Sequence, residues 1–129
     1  MGKTITITVG RLTAQAELND SLCAAAVCDA LPIESTVNTW GDEVYFDTPV
    51  TCPLAADARA DMEVGELGYW PPGEAVCIFF GPTPASGKDG KPRAASKVNP
   101  IGRVTGDATV FKTARDGDTI TLSTKSAKA

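Results

Sequence analysis

The feature that most constrains the fold is a strict alternation of polar and apolar residues near the N-terminus. From residue 4 to residue 9, threonine alternates with isoleucine or valine, so one face of an extended chain is entirely apolar. Gly10 and Arg11 follow and fit a two-residue hairpin turn with glycine in the first position. From residue 12 to residue 18 the alternation resumes, with leucine and alanine on one face. The chain is therefore predicted to open with a β-hairpin that buries one face.

One helix and a series of short strands are predicted for the rest of the chain. Asn19 or Asp20 can cap a helix that extends to Leu31, where Pro32 ends it. The apolar run 75–80 is bounded by turn signals and predicts a strand buried on both faces. The other strands are expected at residues 35–38, 43–47, 66–70, 101–105, 108–113 and 118–124. About eight short strands separated by turn signals indicate a mainly β domain, either a sandwich or a barrel.

Two segments lack a regular pattern. Residues 49–64 are rich in alanine and aspartate and are expected to be irregular, with a short helical turn near residues 55–60. Residues 81–97 are expected to form a long loop, which is locally basic. Two interpretations of this loop remain open, a mobile solvated loop and a lid that attracts an anionic group. Its basic residues are Lys88, Lys91, Arg93 and Lys97.

Length and charge restrict the class of protein. A chain of 129 residues is expected to form one domain over residues 1–124, with a disordered tail at 125–129. The net charge of −4 disfavours binding to nucleic acid or to an anionic membrane, because both recruit Lys and Arg. No segment has the length of a transmembrane span, and the N-terminus lacks the unbroken apolar core of a signal peptide. We therefore expect a cytoplasmic location.

Several chemistries lack the residues that they need. The sequence has no histidine, so this chain alone cannot build a Ser-His-Asp or Cys-His nucleophile system. Cys23 and Cys28, the closest cysteines, lie on different faces of the predicted helix and lack the spacing of a zinc site. Cys77 lies in the apolar run and is interpreted as a small core residue. Neither a GxGxxG motif nor a P-loop is present. We expect no catalytic residues, no metal and no cofactor.

Residues 40–46, WGDEVYF, combine large apolar side chains with two carboxylates around a glycine turn. Asp42 and Glu43 are adjacent, so their side chains diverge if the segment is extended; this favours a turn and solvation over paired acid–base chemistry. Four aromatic residues lie beside turns, and either they form one binding patch or they close the ends of the fold. They are Trp40, Tyr45, Tyr69 and Trp70.

Five ordered motifs carry a family resemblance. They are Leu31-Pro32, Trp40-Gly41-Asp42-Glu43-x-Tyr45-Phe46, Gly65-x-x-Gly68-Tyr69-Trp70, Phe79-Phe80-Gly81-x-Thr83-Pro84 and Ser96-x-Val98-Asn99-x-Ile101-Gly102. Together they resemble a family of small microbial proteins with a cyclophilin-like fold, over nearly the whole chain. The resemblance implies a mainly β, closed or nearly closed barrel of about eight strands, with one α-helix covering an end. It implies no particular activity.

Cyclophilins proper are peptidyl-prolyl isomerases, and this chain departs from their pattern. Their groove uses an arginine that polarises the prolyl amide, a hydrophobic proline pocket, and a tryptophan and a histidine on the rim. The strand that corresponds to the one with the arginine, residues 43–47, has no basic residue here, and the sequence has no histidine. Residues 93–97, where the tryptophan would be, read RAASK. Fold similarity does not carry function across such differences.

The sequence therefore predicts a barrel that binds an unidentified small molecule or peptide. Two alternatives remain open, a weak peptidyl-prolyl cis-trans isomerase with Arg103 as the amide donor, and a structural protein whose aromatic patch is a homo-oligomer contact. The predicted lining of the site is Trp40, Tyr45, Phe46, Tyr69, Trp70 and Phe80. The predicted polar contacts are Glu43, Thr83, Asn99 and Arg103.

Overall fold

The N-terminal hairpin forms as the alternation predicts. A computed structural model, which describes residues 3–124, pairs β1 (Lys3–Val9) with β2 (Leu12–Leu18) in antiparallel register, with Ile7 opposite Ala14. Gly10 has a φ of +59°, a backbone conformation that glycine adopts without the steric cost of a Cβ. The apolar face of β1 is buried, and its threonines are more exposed.

One α-helix and eight further strands follow within residues 3–124. The helix α1 (Leu22–Asp29) begins after Ser21, whose Oγ accepts a hydrogen bond from the Ala24 amide at 3.2 Å. Short 3₁₀ helices occur at Pro71–Gly73 and Ala108–Thr113. The remaining strands are β3 (Ile33–Thr36), β4 (Asn38–Thr39), β5 (Glu43–Asp47), β6 (Arg59–Asp61), β7 (Glu66–Trp70), β8 (Ala75–Phe79), β9 (Arg93–Val104) and β10 (Thr119–Thr124).

The strands form one sheet that curls into a nearly closed barrel. Its order is β3-β10-β1-β2-β9-β7-β8-β5-β4, and β6 pairs separately with β9. The two ends of this path, β3 and β4, are consecutive in the chain and separated by Val37 alone. The Val37 amide donates to the Asp118 carbonyl, and the Gly117 amide donates to the Val37 carbonyl, both at 2.9 Å. The connection between β3 and β4 therefore brings the sheet edges together, as the family resemblance implies.

The barrel has one main core inside and a second cluster on the outer face of the sheet. The inner core contains the buried side chains of β1, the inward residues of β5, and Val27 of α1. The outer cluster consists of Met62, Cys77, Phe79, Ala94 and Val98, with Tyr45 and Trp70 packed against it. Strand β8 is buried along its full length because it contributes to both clusters, as its continuous apolar run predicts.

Gly68 permits a close approach on the outer face. A Cβ added at this position would lie 2.6 Å from Cγ2 of Val98, far inside ordinary contact distance. Strand β9 bends beside it, because the pairing of β7 with β9 has a bulge between Leu67 and Gly68, and Pro100 stands opposite Gly68. This bend lets the long β9 pair with β2, β6 and β7.

Four sequence predictions are wrong in detail. The helix ends at Asp29 instead of Leu31. The expected helical turn at 55–60 is limited to its start, where the Ala58 amide donates to the Ala55 carbonyl at 3.1 Å. Arg59–Asp61 is a strand, because pairing with β9 overrides the local preference of alanine for helix. Residues 93–97 belong to β9 and not to a loop. The expected strand at 108–113 is a 3₁₀ helix capped by Asp107, whose Oδ1 accepts from the Thr109 amide at 2.9 Å.

Two further expectations concern the ends of the chain and its location. The predicted disordered tail at 125–129 lies outside the described residues. Within residues 3–124, no helix is long and apolar enough to cross a membrane. The cytoplasmic location stays a prediction.

Candidate functional site

The side chains of strand β5 alternate between the two sides of the sheet. Val44 and Phe46 point into the barrel core and are fully buried. Glu43 and Tyr45 lie on the outer face, where Tyr45 packs against the outer cluster. This is the two-residue periodicity of a strand, and it gives the barrel wall an acidic and aromatic outer surface at this point.

Glu43 and Tyr45 line a cavity of about 150 Å³ on the outer face of the barrel. The wall is built from the turn after β4, the strands β5 and β8, the end of β7 and the first half of β9. Most of its surface is apolar, and three aromatic side chains contribute to it. The full lining is Trp40, Glu43, Tyr45, Trp70, Cys77, Ala94, Ala95 and Val98.

Trp40 is held in place by the backbone of the turn that joins β4 to β5. Its amide donates to the Glu43 carbonyl at 2.9 Å. Within the same turn, the Asp42 amide donates to the Pro82 carbonyl, and the Phe80 amide donates to the Asp42 carbonyl, each at 2.9 Å. The turn is thus bonded to the chain segment that follows β8. These bonds fix the backbone from which the half-buried indole of Trp40 extends to the cavity.

Trp70 is positioned by one hydrogen bond and one close packing contact. Its indole Nε1 donates to Oγ of Ser96 on β9 at 2.6 Å. A Cβ added at Gly73 would lie 2.8 Å from both Cε3 and Cζ3 of the indole, so the ring packs directly over the glycine backbone. The sequence Pro-Pro-Gly after β7 therefore does more than turn the chain. It leaves the space that the Trp70 ring occupies.

Glu43 is the one acidic residue of the cavity lining, and it is almost completely buried. Only 5% of its surface is exposed, and its Oε1 has no hydrogen-bond partner among residues 3–124. Burial raises the pKa of its carboxyl group to about 7, and a hydrogen bond with the Cys77 thiol opposes this rise. Burial also raises the pKa of Cys77 well above its ordinary value, and the neighbouring Glu43 adds to the effect. At neutral pH the cavity therefore holds a protonated thiol beside a carboxyl group that readily gains or loses a proton.

The lining can supply apolar contact, aromatic faces and one acidic group. It contains no lysine and no arginine. Within residues 3–124, no group of three or more His, Cys, Asp or Glu side chains is arranged to hold a metal ion. The chemistry available at the cavity is therefore recognition of an apolar group that carries a hydrogen-bond donor or a positive charge.

The fold that carries this cavity matches a known family. A sequence model described as cyclophilin-like matches residues 3–123. The chain belongs to the cyclophilin-like family. The solution structure of a hypothetical protein from Archaeoglobus fulgidus is similar, with 36% sequence identity, a TM-score of 0.80, and 95% of each chain covered. No curated protein matches significantly. These comparisons establish the family and the fold of this cyclophilin-like chain.

Three predicted aromatic site residues lie away from the cavity of this cyclophilin-like barrel. Phe46, Tyr69 and Phe80 are buried in the inner core. The hydroxyl of Tyr69 donates to the Val50 carbonyl at 2.5 Å and accepts from the Cys52 amide at 3.3 Å, so it anchors a loop. The physical reason is alternation: each of Phe46 and Tyr69 is adjacent to a cavity residue on its strand and therefore faces the opposite side.

The predicted polar contacts other than Glu43 are also outside the lining. The buried Thr83 donates its hydroxyl to the Arg93 carbonyl at 2.5 Å and closes the loop before β9. The buried Asn99 donates to the Pro53 carbonyl at 3.0 Å, and its Oδ1 accepts from the Ala55 amide at 2.7 Å. Arg103 is exposed, and it stands opposite Glu17 and Glu66 in the sheet.

Four residues of the lining were not predicted from the sequence. They come from β8 and β9, each of which pairs with at least one strand that is distant in the chain. Cys77 stands opposite Tyr45 in the register of β5 with β8, and this pairing carries the signal that was missed. The three others lie on β9, two of them in the stretch 81–97 that was expected to be loop and one immediately after it. They are Ala94, Ala95 and Val98.

The basic stretch 81–97 is divided between a loop and the cavity wall. Its last five residues, 93–97, are strand, and two of its cations form ion pairs near β6. Nε of Arg93 lies 2.8 Å from Oδ1 of Asp61, and Nζ of Lys91 lies 3.7 Å from Oε2 of Glu63. These charges are directed at acids of the protein itself, which gives the idea of an anion-attracting lid no support.

Proposed function

We propose that this cyclophilin-like protein binds a small molecule in the cavity on the outer face of its barrel. The observation that carries the proposal is the convergence of Trp40, Tyr45 and Trp70 with the buried acid Glu43 on one cavity. Ligand sites are typically concave and mostly apolar, with a few placed polar groups that fix orientation. The cavity combines these properties.

The size of the cavity limits the ligand. A volume of about 150 Å³ corresponds to one aromatic ring with a small substituent, since a dry protein cavity of about that size accepts benzene. Drug-sized ligands occupy pockets of roughly 300–1,000 Å³. A small molecule, or one ring of a larger molecule, therefore fits better than an extended peptide.

The arrangement of the aromatics also supports binding. Trp40, Tyr45 and Trp70 are each half-buried, so each retains accessible surface beside the cavity. The hydrogen bond between the Trp70 indole and Ser96 orders one of these rings before any ligand arrives, and the bonded turn fixes the backbone of Trp40. Preorganised side chains lose little conformational entropy on binding, which favours affinity.

A fragment and peptide library tests the proposal. We expect ring-sized fragments to change tryptophan fluorescence and to shift the amide NMR signals of the cavity residues. Ala95 is exposed and lines the cavity, so Ala95→Phe is expected to fill it and to abolish these responses. Ala25→Phe, the same change at an exposed site of α1, is the matched control and retains them. A library that moves no cavity signal in the wild-type protein would overturn the proposal.

The two alternative functions stay predictions. A weak prolyl isomerase would need a donor aimed at the prolyl amide, and the lining provides no guanidinium group. A homo-oligomer contact would need a large exposed apolar face, whereas Trp40, Tyr45 and Trp70 are each half-buried. Neither alternative has a specific observation in its favour.

A further inference from the structure

We infer that the ligand of this cavity is a small organic cation, a protonated amine on or beside one ring, which pairs with Glu43. This inference rests on the proposed function and names its ligand class. It stands on the unpartnered carboxylate oxygen, on the absence of a cation in the lining, and on the aromatic walls.

The first step concerns the carboxyl group. Glu43 is 95% buried, as its 5% exposure shows, and its Oε1 has no hydrogen-bond partner among the described residues. A buried charge that is neither paired nor fully hydrogen-bonded is costly, and folded proteins rarely retain one. The same group on the wall of a cavity is accessible to a ligand. An ammonium group placed there would satisfy both the charge and the free oxygen.

The second step concerns the cations of the protein. Arg59 forms a two-pronged ion pair with Glu66, at 2.9 and 2.6 Å, and Arg93 pairs with Asp61 at 2.8 Å. Lys97 is exposed and is not part of the lining. None of the residues that line the cavity can neutralise Glu43. When Glu43 is ionised, a positive charge that pairs with it must therefore come from outside the chain.

The third step concerns the groups that face Glu43. From β8 it meets the Cys77 thiol, whose raised pKa keeps it protonated and uncharged. On its own strand, Tyr45 lies on the same face and is the remaining titratable residue of the lining. Asp42, the preceding residue, packs against Gly81 and is not part of the lining. No second carboxylate of the lining competes for the cation, so the site suits a single positive charge.

The aromatic residues favour the same ligand. Cations are attracted to the faces of aromatic rings, most strongly to tryptophan, and the attraction increases when water is excluded. Trp40, Tyr45 and Trp70 supply three such rings around one buried acid. A neutral ring would gain only the apolar contacts. A protonated amine with an apolar body gains those contacts, the ring attraction and the ion pair.

Three probes of nearly equal size test the inference: benzylamine, benzyl alcohol and benzoate. At pH 8, where benzylamine is still protonated, we expect it to bind at least about tenfold more tightly than benzyl alcohol, the scale of one charge-assisted hydrogen bond. Benzoate is expected to bind most weakly. Dissociation constants come from amide NMR titration of residues 40–46 and 93–98.

Two variants assign any preference to Glu43. Glu43→Gln keeps the shape of the side chain and is expected to abolish the preference for benzylamine. Asp47→Asn removes one negative charge from an exposed site on the same strand, and this matched control is expected to retain the preference. Equal binding of benzylamine and benzyl alcohol, or a preference that survives in Glu43→Gln, would overturn the inference but leave the proposed function standing. If none of the three probes binds, the inference is wrong; if the whole fragment library also fails, the proposed function is wrong as well.

Discussion

Glu43 on β5 and Cys77 on β8 are neighbours at the wall of the cavity, and each changes the pKa of the other. In the sheet, Phe79 stands opposite Glu43, and Cys77 stands opposite Tyr45, so the contact is diagonal across two neighbouring strands. Oε1 of the carboxyl group has no hydrogen-bond partner among the described residues. The cavity wall therefore contains a buried carboxyl group with one oxygen that makes no hydrogen bond within residues 3–124.

The stability of the protein is expected to depend on the protonation of Glu43. Its pKa is raised from 4.5 to about 7 in the folded state, so the folded protein holds this proton more tightly than the unfolded chain. The contribution to the free energy of unfolding is fully present below pH 4.5 and is lost as the pH rises through about 7. The loss is up to about 3 kcal/mol. The sequence has no histidine to obscure this range.

Chemical denaturation at pH 5 and pH 8 measures this effect. Glu43→Gln is expected to flatten the pH dependence and to be more stable than the wild type at pH 8, because it removes a buried charge. Asp47→Asn is expected to follow the wild-type pH dependence. A wild-type slope that persists in Glu43→Gln would show that another group is responsible.

Gly73 is expected to set the position of the Trp70 ring. Alanine at this position would bring its Cβ within 2.8 Å of the indole, so the ring must move. We expect Gly73→Ala to change tryptophan fluorescence and to weaken binding of cavity fragments several-fold. Gly87→Ala is the matched control, since a Cβ there meets nothing within 4 Å. If both variants bind fragments like the wild type, the position of Trp70 is unimportant for the site.

No prolyl isomerase activity is expected. The barrier to rotation about a peptide bond is about 18–20 kcal/mol, and cyclophilins proper lower it with an arginine that polarises the prolyl amide. The cavity lining has no lysine or arginine, and Arg103 stands between Glu17 and Glu66 in the sheet, away from that lining. A protease-free isomerisation assay at high protein concentration is expected to give the spontaneous rate. A faster rate, lost in Ala95→Phe, would contradict the account.

A monomer is expected in solution at high concentration. A stable dimer typically buries roughly 800 Å² from each partner, and the aromatic residues at the cavity are each half-buried. Analytical ultracentrifugation checks this expectation. A dimer that dissociates in Ala95→Phe would favour the alternative in which the aromatic patch is a contact between copies.

The sequence predicts those parts of the fold that local pattern determines. Residues 4–18 show their hairpin directly, and the alternation in β5 separates Val44 and Phe46 from Glu43 and Tyr45. The same rule, applied to Tyr69 and Trp70, would have placed only Trp70 on the outer face. Adjacent residues of a strand cannot line the same side, which is why the predicted lining was too large.

The parts that were missed depend on contacts between distant segments. Strand β6 forms because Arg59 and Asp61 pair with β9, and nothing in residues 55–60 alone indicates it. Cys77 reaches the cavity only because β8 pairs with β5 in one particular register. For residues 108–113, the Asp107 cap and the burial of Phe111 favour a 3₁₀ helix over the strand that the apolar pattern suggested. Register and pairing partners are not determined by the local sequence.

The most direct test of the account is a titration of Glu43 itself, followed through the NMR signal of its ¹³C-labelled carboxyl carbon. The signal is assigned by its loss in Glu43→Gln. We predict a midpoint at about pH 7 in the free protein, and a lower midpoint when benzylamine is saturating, because the bound cation favours the ionised carboxylate. A midpoint near the ordinary value of 4.5, or one that benzylamine does not change, would contradict the account.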